Sequence, residues 1–414
     1  MEKMQKGRLL FFDPLLLIIF VYILVSILIA LPFYFSNYQV TFLNSLFEAI
    51  SGLTSTGFSI FKNIKYLDPT LILWRSSSQW LGGLYFLFFL IVIFSNKKFN
   101  YKMNDLTFNQ DGGVKSITNI KELLLKIFFF YSLLSVLIFL LFNLLEVRMF
   151  NSLNLSMSLI SSGGFLPTNT LNNIIQTNGQ KLLLIFSLCI SIFNFFLIFN
   201  LFDQKVIVHK HKEDLYIFIF LIILIFLVLI NNKDNLDNII GILSSISNSG
   251  LSLIKNDNNL SLFLILLTIL GGSLISNTSG IKFTRVYILL KSTSLEIIKL
   301  ISPNSIINKN IFNSELKITD EYVKISFLIF VSFFLSLFIL SGVLIIDNID
   351  FENSFKLSIL TITNTTTSPM FGIKEINFAN LLTTSKLSLI IFMIIGKIEL
   401  ISVFLIIKKI FFKD

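Results

Sequence analysis

The sequence is poor in charged residues and in the side chains that bind metals. Only 14% of its 414 residues are Asp, Glu, Lys or Arg, against about a quarter in an average soluble domain. It contains two histidines and one cysteine, so an intrachain disulfide is excluded. The sequence contains no phosphate-binding glycine loop, metal-ligand cluster or nucleophile–base set. These absences disfavour an enzyme.

Hydrophobic residues, by contrast, make up 54% of the chain. A run of about 18 or more apolar residues can cross a hydrocarbon layer, and the runs lack the alternation of a membrane β-barrel. We therefore predict an all-α, multi-pass membrane protein. No small-residue cleavage site follows the first run, which predicts a retained helix rather than a signal peptide. Eight apolar segments stand out, at 9–31, 71–95, 123–145, 181–202, 215–231, 260–290, 322–346 and 386–412.

Basic residues are concentrated in alternate connections between these segments. The net charge is +9, and 22 of the 33 Lys and Arg residues lie on one side of the predicted topology. This distribution is typical of the cytoplasmic side of a membrane protein, so both termini are predicted to be cytoplasmic. The same distribution accounts for the positive charge without a nucleic-acid partner. His209 and His211 lie in one of these basic connections, where we expect solvated side chains.

Four polar stretches separate the two members of each pair of apolar segments. Each begins with about 11 to 14 moderately apolar residues, too few to span a membrane, which predicts a re-entrant helix. These short helices are expected at 41–54, 151–161, 236–247 and 352–365. The fixed order of long helix, short helix, polar turn and long helix predicts four pore-loop repeats around a central pore. The predicted units are 1–96, 97–203, 204–291 and 292–414.

The polar turns suit a desolvated monovalent cation. Non-helical backbone at membrane depth is tolerated only where it is buried in protein or lines a water-filled cavity. Rings of backbone carbonyls can replace the water shell of an ion, and glycine reaches the left-handed dihedrals that such a turn needs. A single turn of this kind could be an ordinary extracellular loop. Four in equivalent positions favour a cation path.

At these residues the chain resembles the TrkH/KtrB family of bacterial potassium-uptake subunits. The resemblance lies in Phe47–Gly57, Leu73–Gly83, Gly271–Lys282 and Gly396–Glu399. It implies four M1–P–M2 repeats with eight spanning helices, K⁺ as the transported ion and no tightly bound cofactor. It also implies a homodimer in the lipid of the bacterial cytoplasmic (inner) membrane. The expected partner is a cytosolic RCK-domain regulatory subunit similar to TrkA or KtrA.

The resemblance also assigns residues to an ion-binding filter. Ser368 is expected at the position of the fourth filter glycine, and serine there accompanies sodium permeation in relatives. A Na⁺-permeable or poorly selective transporter of the same fold is therefore the alternative. The implied filter residues are Thr54, Ser55, Thr56, Gly57, Ser162, Gly163, Gly164, Asn248, Ser249, Gly250, Thr366, Thr367 and Ser368.

A polar run at 271–280 interrupts the sixth apolar segment and predicts a helix break that lines the cavity. The alternative is a small-residue face for helix packing. Lys397 lies inside the last apolar segment, where a charge costs at least about 2.5 kcal/mol. We expect it to face the pore or contact this loop; the alternative is snorkelling to the cytoplasmic interface. The resemblance assigns an intramembrane gate to Gly271, Gly272, Ser276, Asn277, Gly280 and Lys397.

Two other classes of function compete with a cation path. A secondary carrier for an organic solute would bind its substrate at broken helices near the midplane. Such a site needs charged or aromatic groups, whereas the four turns offer mainly small neutral ones. An intramembrane enzyme would need paired carboxylates, an HExxH motif or a Ser–His arrangement, and none is visible in the sequence.

Overall fold

The computed structural model describes residues 14–95, 120–195, 213–231, 235–253, 260–303, 308–312 and 317–398. Within these ranges the chain is mostly α-helical, and its only β-type pairing is an isolated bridge between Asn310 and Lys317. His209, His211, Glu399 and the basic residues at 408–413 lie outside the described residues.

Helices occupy the positions of all the predicted long and short segments. Four of them, α2, α5, α8 and α12, contain 12 residues each and are about 18 Å long, too short to cross a bilayer. The helices in chain order are α1 Pro14–Tyr34, α2 Phe42–Leu53, α3 Pro69–Ser95, α4 Ile120–Leu144, α5 Met149–Ile160, α6 Asn178–Ile192, α7 Glu213–Asn231, α8 Asn235–Ile246, α9 Ser261–Leu270, α10 Phe283–Ile301, α11 Asp320–Ile345, α12 Phe351–Ile362 and α13 Thr383–Ile398.

Large apolar side chains cover the outside of the long helices. Phe129 on α4 is 67% exposed, Phe226 on α7 63% and Ile339 on α11 60%. An apolar surface of this extent is typical of contact with a membrane. Two helical segments in the described part of the chain, Lys121–Leu144 and Asp320–Ile345, are both long and apolar enough to cross one.

Polar caps fix where several helices begin. Thr41 accepts a hydrogen bond from the Asn44 amide at the start of α2, and Thr319 does the same for Tyr322 at the start of α11. Thr177 and Gln180 form a reciprocal capping box at the start of α6. Such caps satisfy backbone N–H groups that have no partner inside the helix.

The helices form four units, and the units close into a ring. Each short helix packs against long helices of its own unit and against a long helix of the preceding unit. Thus α5 packs on α3, α8 on α6 and α12 on α9, while α2 packs on α13. Because the last contact joins the first unit to the fourth, the four short helices surround one axis.

Three of the boundaries that differ from the predicted ones bear on the loops between the helices. Helix α6 ends at Ile192 rather than at 202, because the Ile192 carbonyl accepts the Ser273 amide from another unit. Helix α12 ends at Ile362 rather than at 365. The expected break in the sixth segment separates α9 from α10, and α10 then continues to Ile301, beyond the predicted end at 290.

Candidate functional site

Four loops follow the short helices and meet on the axis of the ring. In each, the second residue after the helix has a positive φ: 60° at Ser55, 57° at Ser162, 60° at Asn248 and 50° at Asn364. Asn tolerates this left-handed conformation better than most residues with a side chain. The shared dihedral turns all four chains sharply at the same point.

A common hydrogen bond fixes how the four loops correspond. The amide of the third residue donates to the carbonyl five residues earlier: Thr56 to Ser51, Gly163 to Ser158, Ser249 to Ser244, and Thr365 to Leu360, over 2.7–3.0 Å. The matching segments, called the axial loops below, are therefore 54–57, 161–164, 247–250 and 363–366.

This correspondence corrects the sequence prediction for the fourth loop. Thr366, not Ser368, matches Gly57, Gly164 and Gly250, so the predicted register was wrong by two residues. Helix α12 ends earlier than expected, and Ser368 lies beyond the axial loop in extended backbone with φ −139° and ψ 150°. Thr367 is likewise outside the matched segment. The run Thr365–Thr367 contains no glycine to mark the register.

A different signal in the sequence would have given the correct register. Each short helix ends in an apolar residue, and a hydroxyl residue and then Ser or Asn follow it. The four instances are Leu53-Thr54-Ser55, Ile160-Ser161-Ser162, Ile246-Ser247-Asn248 and Ile362-Thr363-Asn364. Aligning the loops on this pattern rather than on glycine would have matched Thr366 with the three glycines.

The fourth residues of the axial loops crowd together at the centre. The Thr366 hydroxyl donates to the Gly57 carbonyl over 2.8 Å. A Cβ added at Gly164 would lie 2.4 Å from Thr366 Cγ2, and one added at Gly250 would lie 2.6 Å from the Thr366 carbonyl oxygen. Gly57 and Gly250 also have φ values of 83° and 66°. The centre therefore has room for only one side chain, that of Thr366.

In three of the axial loops, the hydroxyls of the first and third residues form a hydrogen bond that stabilises the turn. Thr54 pairs with Thr56 at 2.6 Å, Ser247 with Ser249 at 3.1 Å and Thr363 with Thr365 at 3.0 Å. The second loop has Gly163 in place of the second hydroxyl. The four loops carry backbone carbonyls, hydroxyls and amides but no ionised side chain, which is the chemistry that binds an alkali cation weakly enough to release it.

Residues 271–282 form a loop of a different kind between α9 and α10, called the intramembrane loop below. Gly271 and Gly280 have positive φ values of 63° and 82°, and a Cβ at Gly272 would lie 2.5 Å from the Ile192 carbonyl oxygen. Asn277 donates its amide to the carbonyl of Ile160, the last residue of α5, over 2.8 Å. The intramembrane loop is thus packed directly against the axial loops.

Two buried lysines hold the intramembrane loop through its carbonyl oxygens. Lys397, on α13, donates to the Asn277 carbonyl over 3.0 Å. Lys282 donates to the carbonyls of Ser276 and Thr278 and to both their hydroxyls. Both ammonium groups also lie near the Phe86 ring, at 5.8 Å for Lys282 and 5.2 Å for Lys397. Three successive carbonyls therefore accept hydrogen bonds from lysine side chains. Of the two lysines, the sequence had indicated only Lys397.

The buried carboxylate of Glu213 holds the opposite side of the same loop. It accepts the Leu274 amide over 3.0 Å and the Ser273 hydroxyl over 3.1 Å, and it also accepts the hydroxyl of Thr284. Glu213 begins α7, so this contact ties the loop to the start of its own unit. Glu213 carries no distinguishing signal in the sequence, because it looks like an ordinary acidic first-turn residue.

A buried ion pair holds the chain that leaves the first axial loop. Glu48, on α2, accepts hydrogen bonds from Arg75 Nε over 2.7 Å and from the Ile60 amide over 2.8 Å. The guanidinium carbon of Arg75 lies 4.1 Å from the centre of the Phe165 ring, which follows the second axial loop. Both charged side chains are at most 1% exposed.

Replacing Arg75 by methionine is expected to destabilise the fold by about 3–5 kcal/mol, because the Glu48 carboxylate would stay buried without its cation. The measurement is the thermal unfolding midpoint of the purified protein in detergent. Lys374→Met is the matched control, since Lys374 and Asp350 form an exposed pair and exposed pairs contribute little. Equal midpoints for the two variants would contradict the assigned role of Arg75.

Comparison with known proteins gives consistent matches along the chain. A family model described as TrkH, cation transport protein, matches residues 8–234. An uncharacterized cation transporter of Methanocaldococcus jannaschii is 27% identical, over 95% of this chain and 81% of its own. The Trk system potassium uptake protein TrkG of Escherichia coli is 25% identical, over 97% and 86% of the two chains.

The fold is also that of a solved structure. The crystal structure of the potassium transporter TrkH from Vibrio parahaemolyticus superposes with a TM-score of 0.80. The match covers 95% of this chain and 84% of that one, at 20% sequence identity.

Proposed function

Because the chain belongs to the TrkH family of cation transport proteins, we propose that it carries K⁺ across the membrane through its four axial loops. The carbonyls of these loops, around Gly57, Gly164 and Gly250, form the ion-binding filter in this proposal. The ion would lose its water shell there and exchange it for protein oxygens. We propose K⁺ rather than another monovalent cation because relatives of this chain are potassium uptake proteins.

One observation carries the proposal: three glycines from three units and Thr366 from the fourth meet on the axis of a closed ring. Ordinary extracellular turns are not expected to converge so closely that three of four equivalent positions have no space for a Cβ. The adjacent short helices direct their carbonyl ends toward this point, where the negative end of the helix dipole favours a cation.

The fourth axial loop is where the preference for K⁺ is weakest. The Thr366 hydroxyl occupies the Gly57 carbonyl, so that oxygen accepts one hydrogen bond fewer from water and is less available to an ion. A Na⁺-permeable or poorly selective transporter of the same fold is therefore the second candidate, and Thr366 is the residue that favours it.

In this proposal the intramembrane loop is the gate. Its backbone lies against the axial loops, and Lys397 and Lys282 fix its carbonyls. Two ammonium groups near the path of a cation also raise an electrostatic barrier. Movement of the loop would remove the steric obstacle and displace Lys282, whereas Lys397 would stay on α13.

Replacing Lys397 by methionine is expected to increase cation flux about fivefold. The reason is that the Asn277 carbonyl loses a hydrogen bond of about 1 kcal/mol or more, which loosens the closed loop. Rubidium uptake into proteoliposomes measures the change. Lys397→Arg is the control, since it can keep the donor, and it should stay near the wild-type rate. Unchanged or lower flux in Lys397→Met would contradict a holding role for this lysine.

The surroundings of the subunit are part of the proposal. We infer a homodimer in the bacterial cytoplasmic membrane with both termini in the cytoplasm. The excess of basic residues in alternate connections supports this orientation. The relatives belong to Trk systems, which supports a cytosolic RCK-domain subunit as the regulatory partner that acts on the gate.

Growth of a potassium-uptake-deficient bacterium at low external K⁺ tests the proposed function directly. Expression of the wild-type chain is expected to restore growth, either alone or together with a Trk-type cytosolic subunit. Restoration by neither, with the protein present in the membrane, would contradict K⁺ uptake.

A further inference from the structure

Asn248 makes more hydrogen bonds outside its own loop than any other side chain of the axial loops. Its Nδ2 group donates to the Thr268 carbonyl over 2.8 Å and to the Thr365 hydroxyl over 3.1 Å. Its Oδ1 accepts the amide of Ser279 over 3.1 Å. The side chain is 1% exposed. One amide group therefore joins the third axial loop to the fourth loop, to α9 and to the intramembrane loop.

Asn364 occupies the same position in the fourth unit and repeats only half of this arrangement. Its Nδ2 donates to the Thr56 hydroxyl over 3.0 Å and to the Met393 carbonyl over 2.8 Å. Thr56 corresponds to Thr365, and Met393 on α13 corresponds to Thr268 on α9. The donor contacts of the two asparagines are thus equivalent.

The acceptor oxygens of the two asparagines differ. Oδ1 of Asn364 is buried without a hydrogen-bond partner among the described residues, because α13 continues past this point as a regular helix and turns no free amide toward it. Oδ1 of Asn248 has a partner because α9 ends at Leu270 and the intramembrane loop returns the Ser279 amide to it. The second contact is therefore specific to the unit that contains the loop.

The remaining two units have serine at this position, and the Ser55 and Ser162 hydroxyls have no hydrogen-bond partner in the described structure. The shorter side chain does not reach the next loop. The asparagine side chains thus link the third axial loop to the fourth and the fourth to the first. Of these two side chains, only that of Asn248 also bonds to the intramembrane loop.

We propose that Asn248 is a positioning residue that couples the intramembrane loop to the axial loops. This inference rests on the proposed function, in which the former is the gate and the latter the filter. When the Ser279 amide leaves Oδ1, the Asn248 side chain loses a restraint, and its bond to Thr365 weakens with it. Opening the loop would then alter the fourth axial loop, next to Thr366, and change selectivity as well as flux.

Hydrogen exchange of the purified full-length protein tests the coupling without any transport measurement. In Asn248→Ser, the backbone amides of the 271–282 segment are expected to exchange about fivefold faster, since a hydrogen bond of about 1 kcal/mol is lost. Asn364→Ser is the matched control. It removes the equivalent donor contacts and should leave exchange in 271–282 at the wild-type rate.

Equal exchange in 271–282 for wild type and Asn248→Ser would overturn the coupling, even if the protein carries K⁺. Failure of K⁺ transport by the wild type would count against the proposed function and leave the exchange result standing. If Asn248→Ser does not fold, Asn248→Asp serves instead, because it keeps the acceptor oxygen and loses the donor. It should retain slow exchange in 271–282, and faster exchange would contradict the acceptor role of Oδ1.

A double-mutant cycle gives the functional readout. Lys397→Met loosens the loop in an otherwise wild-type chain. We expect it to change the ratio of K⁺ to Na⁺ permeability by about twofold or more, which corresponds to about half the free energy of one hydrogen bond. In the Asn248→Ser background the same substitution should leave the ratio unchanged. An equal change in both backgrounds would show that the loop and the axial loops act independently.

Discussion

Replacing Thr366 by glycine is expected to raise the ratio of K⁺ to Na⁺ permeability about fivefold, as the loss of one hydrogen bond of about 1 kcal/mol predicts. The substitution removes the only side chain at the centre of the four axial loops and frees the Gly57 carbonyl. A wider ring with one more available oxygen suits the larger ion better than the smaller one. The reversal potential in mixed K⁺ and Na⁺ measures the ratio.

Ser368→Gly provides the matched control for this experiment. Ser368 is also a small hydroxyl residue of the fourth unit, but it lies two residues beyond the axial loop. We expect its replacement to leave the permeability ratio unchanged. A shift in Ser368→Gly without a shift in Thr366→Gly would support the register that was first predicted from the sequence and contradict the one described above.

Replacing Gly57 or Gly250 by valine is expected to reduce cation flux by about 30-fold or more, and Gly164→Val by about fivefold or more. A Cβ in a left-handed conformation costs about 1–2 kcal/mol, and forcing a side chain into a packed interior costs a further ~1–3 kcal/mol. At Gly164, where φ is not positive, the effect comes from space alone, since a Cβ would lie 2.5 Å from the Ser249 carbonyl oxygen. Rubidium uptake into proteoliposomes measures the loss.

Gly342→Val separates this effect from a general intolerance of substitution at glycine. Gly342 lies in α11, and a Cβ there would have no heavy atom within 4 Å. This variant should transport at the wild-type rate. If the three axial variants reach the membrane in normal amounts and transport as fast as Gly342→Val, the axial glycines do not line the path.

Much of the architecture follows from composition and the order of segments. Low charge, long apolar runs and four short apolar segments predicted an all-α membrane fold, and the resemblance of a few motifs indicated the TrkH family. The helices, the family match and the TM-score of 0.80 confirm both. The break at 271–280 was also predictable, because a lipid-facing helix would not carry so many polar residues. Local sequence sufficed in these cases because hydrophobicity in a membrane determines where each helix lies.

The register of the fourth axial loop could not be read from glycine, because that loop has none at the matching position. Thr366 is next to two other threonines, and only the end of α12 distinguishes them. The contacts of Glu213 and Asn248 were missed for another reason. Glu213 and Asn248 bond partners up to 117 residues away in the chain, and their roles depend on how the ring closes rather than on any local pattern.

Potassium flux into proteoliposomes that contain only this chain tests the central claim most directly. With an inward-directed K⁺ gradient, we expect uptake by the wild type. We expect loss of uptake when Gly57, Gly164 and Gly250 are all replaced by valine. Counterflow of an organic solute without K⁺ or Na⁺ flux in the wild type would contradict it. So would normal, selective K⁺ flux in the triple variant.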